Sequence, residues 1–140
     1  MINSNTLYRS PLNIKIFEEQ IIMNNFDLIC VGNAIVDVVT NIEDSFLKKF
    51  NLVKGSMKLI SNQEFIDILR EIKDFKIISG GSAANTAVGF SSFGGKSAFI
   101  GKVGKDKFGD NFKDNIKKEN VFFNQMFNSN LIKPTSKSII

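Results

Sequence analysis

A polar pair in a β-branched stretch is the first feature of the sequence that could do chemistry. Asn33, Ile35 and Asp37 are spaced two apart, so in an extended chain their side chains share one face. Burying an ionised aspartate without partners is costly, so we expect Asp37 to meet solvent, an internal donor or a ligand. The amide and the carboxylate could take the paired hydroxyls of a sugar, or they could cap the backbone at a strand end.

A diglycine turn is the second such feature. Gly80 and Gly81 stand between a predicted strand and an Ala-rich helix, and Asn85 falls in the first turn of that helix. Glycines let the backbone approach a ligand closely, and a helix start presents unpaired N–H groups at the positive end of its dipole. Ligands of open α/β sheets bind at the C-terminal ends of the strands. The pattern therefore predicts a binding loop, or else a tight turn with close helix packing.

A third glycine-containing stretch runs from Gly101 to Asp110. Its glycines suit another strand-to-helix turn, and Asp106 is placed to cap the helix that follows. Lys102, Lys105 and Lys107 lie in the same stretch and indicate a solvated basic surface. We favour a structural role for this stretch.

The composition excludes several classes of site. The chain has 140 residues, of which 43% are apolar and 23% charged, as in an ordinary globular domain. One cysteine and no histidine exclude an internal disulfide framework, a cysteine-rich zinc site and histidine-dependent catalysis within this chain. A net charge of +4 gives little support for nucleic-acid binding. No apolar run approaches the roughly 20 residues of a membrane span, so we expect a cytoplasmic protein without a membrane partner.

The elements that must position these residues are predicted from hydrophobic periodicity. Ser61 and Glu64 form a capping box ahead of an amphipathic helix, and Asp44 is placed to cap a short helix through Phe50. Helices alternate with strands from residue 61 onward, which predicts right-handed crossovers and a mainly parallel sheet. Strands are predicted at 26–31, 34–40, 57–60, 76–79, 98–100, 121–127 and 138–140. Residues 1–22 show no strong period and are predicted to be a disordered extension, with Met23 an alternative start.

The three polar and glycine-rich stretches together resemble the ribokinase-like (PfkB) family of carbohydrate and nucleoside kinases. A Gly-Gly-x-x-x-Asn-x-Ala segment at 80–87 matches the family's first signature. The Gly-x-x-Gly-x-Asp-x-x-Gly spacing at 101–109 and the Asn-x-x-x-Asp spacing at 33–37 match stretches of the same family. The resemblance runs from about Phe26 to the end of the chain. Within the family, the sequence most resembles bacterial adenosine kinase-like members.

This resemblance implies an α/β fold of the ribokinase-like type. Residues 23–140 would form the N-terminal part of a three-layer sandwich, with a mainly parallel sheet and helices on both faces. Strands near 34–42, 56–60 and 136–140 would form a small β lid that closes over substrate and excludes competing water. Pairing of lid strands between two copies would give a homodimer.

The resemblance also implies which residues bind the acceptor. Asp37 would hold ribose hydroxyls with help from Gly81 and Asn85, while Ile35 and Met57 would contact a base or sugar. The substrate-binding residues implied in this way are Asn33, Ile35, Asp37, Met57, Gly80, Gly81 and Asn85.

One part of the family pattern is missing from the sequence. The second signature, Asp-Thr-x-Gly-Ala-Gly-Asp, carries the catalytic base and the anion hole, and it does not occur in these 140 residues. We therefore assign no catalytic residue and no metal ligand, and ATP and Mg²⁺ would be bound mostly by a C-terminal half. The chain is predicted to be the acceptor-binding part of an adenosine kinase-like enzyme, inactive alone. Alternatives are part of a fructokinase or ribokinase, or a non-catalytic small-molecule binding module.

Overall fold

The computed structural model describes residues 25–125 and 133–140, which form strands and helices in alternation. The strands are β1 (Leu28–Val31), β2 (Ile35–Val39), β3 (Lys76–Gly80), β4 (Ser97–Gly101), β5 (Phe122–Gln125) and β6 (Ser136–Ile139). The helices are α1 (Asp44–Lys49), α2 (Asn62–Glu71), α3 (Ser82–Ser92) and α4 (Lys107–Lys118). The extension predicted for residues 1–22 lies outside the described residues.

The first sheet is parallel and holds the centre of the core. Its strand order is β1–β4–β5, and all five residues of β4 are buried. Phe99 of β4 is fully buried, and its ring centroid lies 5.8 Å from those of Phe112 on α4 and Phe123 on β5. The small residues Ala84 and Ala87 bring α3 onto the same cluster. The opposite face carries Ile29 and Val31, which are 39% and 69% exposed.

The second sheet is mixed, with the strand order β3–β2–β6. Its central strand β2 runs antiparallel to β3 and parallel to β6. Val36 and Val38 point inward and are fully buried, whereas Ile35 and Asp37 are half-buried. The alternation predicted for this stretch is therefore present, and Asp37 lies on the outer face.

The placement of β3 differs from the sequence-based expectation of one mainly parallel sheet. β3 pairs antiparallel with β2 instead of extending the parallel sheet. Its sequence, Lys-Ile-Ile-Ser-Gly, is short and apolar enough for either sheet. The choice of partner depends on contacts between residues 35–39 and 76–80, which a local pattern does not encode.

The strand predicted at 56–60 is wrong, because these residues form neither strand nor helix. The side chains of Met57 and Leu59 are 89% and 90% exposed, so neither packs against the core. An extended segment becomes a stable strand only when it is paired, and residues 56–60 have no ladder partner in the described part of the chain. The two other predicted lid segments do form strands, at 35–39 and 136–139, and they pair with each other.

The helix caps follow the sequence, with two exceptions. Ser61 Oγ accepts a hydrogen bond from Glu64 N at 3.1 Å, but only this half of the predicted capping box forms, because the Glu64 carboxylate pairs with Lys58 Nζ at 2.9 Å. Asp106 caps α4 by accepting from Gly109 N at 2.8 Å. Asp44 is the first residue of α1 and not its cap, because Glu43 occupies that position without a side-chain hydrogen bond.

Candidate functional site

The Asp37 carboxylate is fixed on both sides by neighbouring strands. Ser138 of β6, its partner in the parallel register, donates a hydrogen bond from Oγ to Asp37 Oδ1. On the other side, a Cβ built on Gly80 would overlap Asp37 Oδ2. The Asp37 carboxylate can therefore lie beside the diglycine turn only because Gly80 has no side chain.

The diglycine turn packs directly against the start of the polar stretch. Gly81 has φ +97° and is the N-cap of α3, and a Cβ there would lie 2.5 Å from the carbonyl oxygen of Asn33. Gly32 approaches Ala83 in the same way, since a Cβ on Gly32 would lie 2.7 Å from that of Ala83. Residues 32–37 and 80–83, more than 40 positions apart, are thus in contact along their length.

The start of α3 adds polar groups to this place. Asn85 lies in the first turn, donates its backbone N–H to Gly81 O at 2.9 Å, and has an exposed side chain. The side chain of Asn33 is exposed as well. The first turn of α3 has no acidic residue, so the carboxylate beside the positive end of this helix is that of Asp37, which lies against Gly80.

Of the two apolar residues predicted for the site, Ile35 lies beside the polar residues and Met57 does not. Ile35 lies between Asn33 and Asp37, directly across from Gly80 in the antiparallel register, and is half-buried. Met57 is almost fully exposed in the segment that forms no strand, so it does not pack against the cluster. The structure thus groups Ile35 with the turn and leaves Met57 apart.

Ser138 is a site residue that sequence reasoning missed. It follows Asp37 by 101 positions, and only the parallel pairing of β2 with β6 brings the two side chains together. The sequence shows that a strand begins near Ser138, but no local signal names its neighbour.

The stretch from Gly101 to Asp110 is joined to the start of β6 by a network of hydrogen bonds. Asp106 accepts hydrogen bonds from Thr135 N at 2.9 Å and Thr135 Oγ1 at 2.7 Å, besides the bond that caps α4. Burial alone would raise the pKa of Asp106, but these hydrogen bonds and the charge of Lys137 outweigh it and leave the pKa below its ordinary value of 3.8. A structural role, as expected from the sequence, accounts for these contacts.

The described residues offer no group of three or more Cys, Asp or Glu side chains that could hold a metal ion. An open depression of about 380 Å³ lies between the segment after β2, the start of α1 and the end of α2, lined by Thr40, Phe46 and Asp74 among others. None of the predicted site residues lines it. In residues 25–125 and 133–140, no helix is long and apolar enough to cross a bilayer.

Comparisons with known proteins agree with this architecture. Residues 48–140 match the pfkB family carbohydrate kinase model. A probable sugar kinase from Rhizobium etli superposes with a TM-score of 0.69 and 35% identity, covering 81% of this chain and 34% of that one. Adenosine kinase from Sinorhizobium meliloti gives 0.67 and 35%, covering 81% of this chain and 35% of that one.

Sequence comparison gives the same class. A 53-residue stretch is 53% identical to probable fructokinase-7 of Arabidopsis thaliana, which is 38% of this chain and 16% of that protein. The chain belongs to the pfkB family of carbohydrate kinases, and the predicted ribokinase-like α/β fold is confirmed. It spans about a third or less of the length of these relatives.

Proposed function

We propose that this chain is the acceptor-binding part of an ATP-dependent carbohydrate or nucleoside kinase, adenosine kinase-like by preference. The observation that carries the proposal is the position of the Asp37 carboxylate, held by Ser138 and set against Gly80. Two polar stretches that are far apart in the sequence converge there, beside the start of α3.

The chemistry of this cluster suits a ligand that carries hydroxyl groups. An ionised carboxylate is an acceptor with two oxygens, and its hydrogen bonds to hydroxyl donors are stronger than neutral ones. Ser138 fixes the rotation of the Asp37 carboxylate, so Oδ2 stays beside the diglycine turn. The amide side chains of Asn33 and Asn85 can both donate and accept, and both are exposed to a ligand.

Ile35 adds an apolar contact beside the carboxylate. It lies one side-chain repeat before Asp37 on the same face of β2, across from Gly80. A sugar ring or a base that rests on Ile35 would place its hydroxyls toward Asp37. Met57 does not pack beside Ile35, since its side chain is 89% exposed, and its contact with a base or sugar stays part of the proposal.

The proposal leaves phosphoryl transfer to groups outside the described cluster. The family implies ATP and Mg²⁺, which would supply the phosphoryl group and neutralise its charge. The Asp-Thr-x-Gly-Ala-Gly-Asp signature is not in the sequence. In this proposal the chain by itself binds the acceptor without phosphorylating it.

A sugar is the second candidate for the acceptor. Ser136 and Ser138 of β6 stand next to Ile35 and Asp37 in the register, so hydroxyl groups line this part of the outer face. Hydroxyls can exchange hydrogen bonds with a polyol, whereas an aromatic base gains more from apolar neighbours. This observation supports a fructokinase- or ribokinase-type acceptor as the second candidate, after the preferred nucleoside.

A homodimer through the lid strands also belongs to the proposal. In the described residues β3 and β6 are the edges of the second sheet, and Ile78 of β3 is 48% exposed. Unpaired strand edges are ready sites for pairing with another chain. Sedimentation velocity over a range of protein concentrations distinguishes a dimer from a monomer, and a monomer throughout the accessible range of protein concentration would remove this part of the proposal.

Calorimetric titration tests the proposed acceptor site. The chain is titrated with adenosine, ribose and fructose, and so are Asp37→Asn and the control Gly89→Ala, which lies in α3 with open space around it. Loss of one charge-assisted hydrogen-bond acceptor should weaken binding by about 10- to 100-fold in Asp37→Asn while its melting temperature stays near that of the wild type. Equal affinity in wild type and Asp37→Asn would contradict the proposal.

A transfer assay separates the kinase from a non-catalytic binding module. Protein that contains this region together with the second signature should phosphorylate the ligand that calorimetry identifies. Tight binding without phosphorylation by that longer protein would favour the binding module.

A further inference from the structure

A network of hydrogen bonds joins the start of α4 to the start of β6. We call it the Asp106–Thr135 clasp, and it consists of Gly104, Asp106, Gly109 and Thr135. Thr135 donates to Asp106 from both its backbone N and its Oγ1, and Thr135 Oγ1 accepts from Gly104 N at 2.9 Å. Thr135 is 2% exposed, so its polar groups are satisfied inside the protein and not by water.

The glycines of the clasp leave no room for a side chain. A Cβ on Gly104 would lie 2.7 Å from both Lys133 O and Thr135 N. A Cβ on Gly109 would overlap Gly104 O and lie 3.0 Å from Thr135 Oγ1. Backbone therefore packs on backbone here, and a side chain at either glycine would displace residues 133–135.

This fixed point lies directly before β6. Ser136 follows Thr135, and Ser138, the hydrogen-bond donor to Asp37, is only three residues from the clasp. Lys137 anchors the inner side of the same strand, with Nζ 4.9 Å from the ring centroid of Phe65 and 5.2 Å from that of Phe108. In the described residues β6 pairs with β2 alone, so its placement relies on these anchors.

We infer that Asp106 is a positioning residue for Asp37, because the clasp sets the register of β6 and so places Ser138 against the Asp37 carboxylate. The inference deepens the proposed function where it concerns ligand binding, and it rests on that function there. It gives the Gly-x-x-Gly-x-Asp-x-x-Gly stretch a role at the acceptor site without contact with the acceptor.

The two tasks of Asp106 can be separated by substitution. In Asp106→Asn one oxygen remains to accept from Gly109 N, so α4 keeps its cap. That oxygen, Oδ1, also accepts from Thr135 Oγ1, so the new NH₂ group takes the position of Oδ2 and faces the backbone N–H of Thr135, which loses its acceptor. Thr135→Val removes the hydroxyl with little change in shape, and Thr135→Ser restores it. Asp110→Asn is the matched control, because it removes the same charge from the first turn of α4.

Hydrogen exchange of the full chain tests the inference. Ile140 N donates to Val38 O at 2.8 Å, so its exchange reports the pairing of β6 with β2. In Asp106→Asn and Thr135→Val, amides of residues 136–140 should exchange at least about tenfold faster, while β1 and β4 exchange at wild-type rates. Thr135→Ser and Asp110→Asn should stay within about twofold of wild type. Calorimetric affinity for the acceptor should fall in the first two variants and return in Thr135→Ser.

Three results would overturn the inference. The first is unchanged exchange of residues 136–140 in Asp106→Asn and Thr135→Val. The second is faster exchange to the same degree in β1 and β4, which would make the clasp a general stabiliser. The third is faster exchange of β6 with unchanged affinity for an acceptor that wild type binds. If the wild type binds none of the acceptors, the proposed function fails, while the exchange pattern still decides whether the clasp sets β6.

Discussion

Alanine substitutions at Gly81, Gly80 and Gly89, in the diglycine turn and α3, should have three different effects. Gly81 has φ +97° and its Cβ would lie 2.5 Å from a backbone oxygen, Asn33 O, which cannot move cheaply. Backbone strain of this kind costs about 1–3 kcal/mol, and the clash adds to it, so we expect Gly81→Ala to lower the free energy of unfolding by about 2–4 kcal/mol. At roughly 4 °C per kcal/mol for a chain of this size, the melting temperature should fall by about 8–16 °C.

The neighbouring glycine should respond differently. A Cβ on Gly80 would overlap only a side-chain atom, Asp37 Oδ2, so the carboxylate can turn away at the loss of its hydrogen bond to Ser138. We expect Gly80→Ala to cost about 1–2 kcal/mol of stability and to abolish acceptor binding. In Gly89→Ala, nothing lies within 4 Å of the new Cβ, so the variant should gain about 0.5–1 kcal/mol from the lower entropy of its unfolded chain.

Urea unfolding and calorimetric titration of the three variants measure these effects together. The expected order of stability is Gly89→Ala, wild type, Gly80→Ala and Gly81→Ala, with binding retained in Gly89→Ala and lost in Gly80→Ala. Gly81→Ala as stable as the wild type would refute the contact between the turn and Asn33. Unchanged binding in Gly80→Ala would refute the placement of Asp37.

Three further perturbations test other parts of the account. Folding lowers the pKa of Asp106, so the stability that its ionised carboxylate contributes is complete above pH 3.8 and is lost as the pH falls further. The free energy of unfolding should therefore fall more steeply with decreasing pH in wild type than in Asp106→Asn. Phe99→Ala should lose about 3–5 kcal/mol in urea unfolding, because the ring is fully buried between two others. Met57→Ser should change the free energy of unfolding by less than about 0.5 kcal/mol, since the side chain is 89% exposed, and a larger loss would show that Met57 packs.

Local sequence patterns predicted the parts of the structure that depend on neighbours in the chain. The Ser61 and Asp106 caps form as expected, because each side chain bonds a backbone N–H three residues later. The diglycine turn follows from glycine's access to positive φ, which Gly81 uses. The helical stripe of Phe108, Phe112 and Ile116 faces the core, since its spacing follows the turn of the helix.

Pairings between distant segments could not be predicted from local sequence patterns. The segment at 56–60 has strand-like residues, but a strand also needs a partner, and the sequence does not say whether one is present. The same limit explains the unexpected place of β3 beside β2 and the missed contact between Ser138 and Asp37. The convergence of residues 33–37 with 80–85 was predicted only through the family resemblance.

An amide NMR titration of the chain with adenosine, and in parallel with ribose and fructose, tests the central claim most directly. If Asp37 and the diglycine turn form one acceptor site, resonances of residues 33–37 and 80–85 should shift together, with a single Kd. In Asp37→Asn the same shifts should need about 10- to 100-fold more ligand. Shifts confined to only one of these stretches, or centred on the depression around Thr40 and Asp74, would contradict the claim.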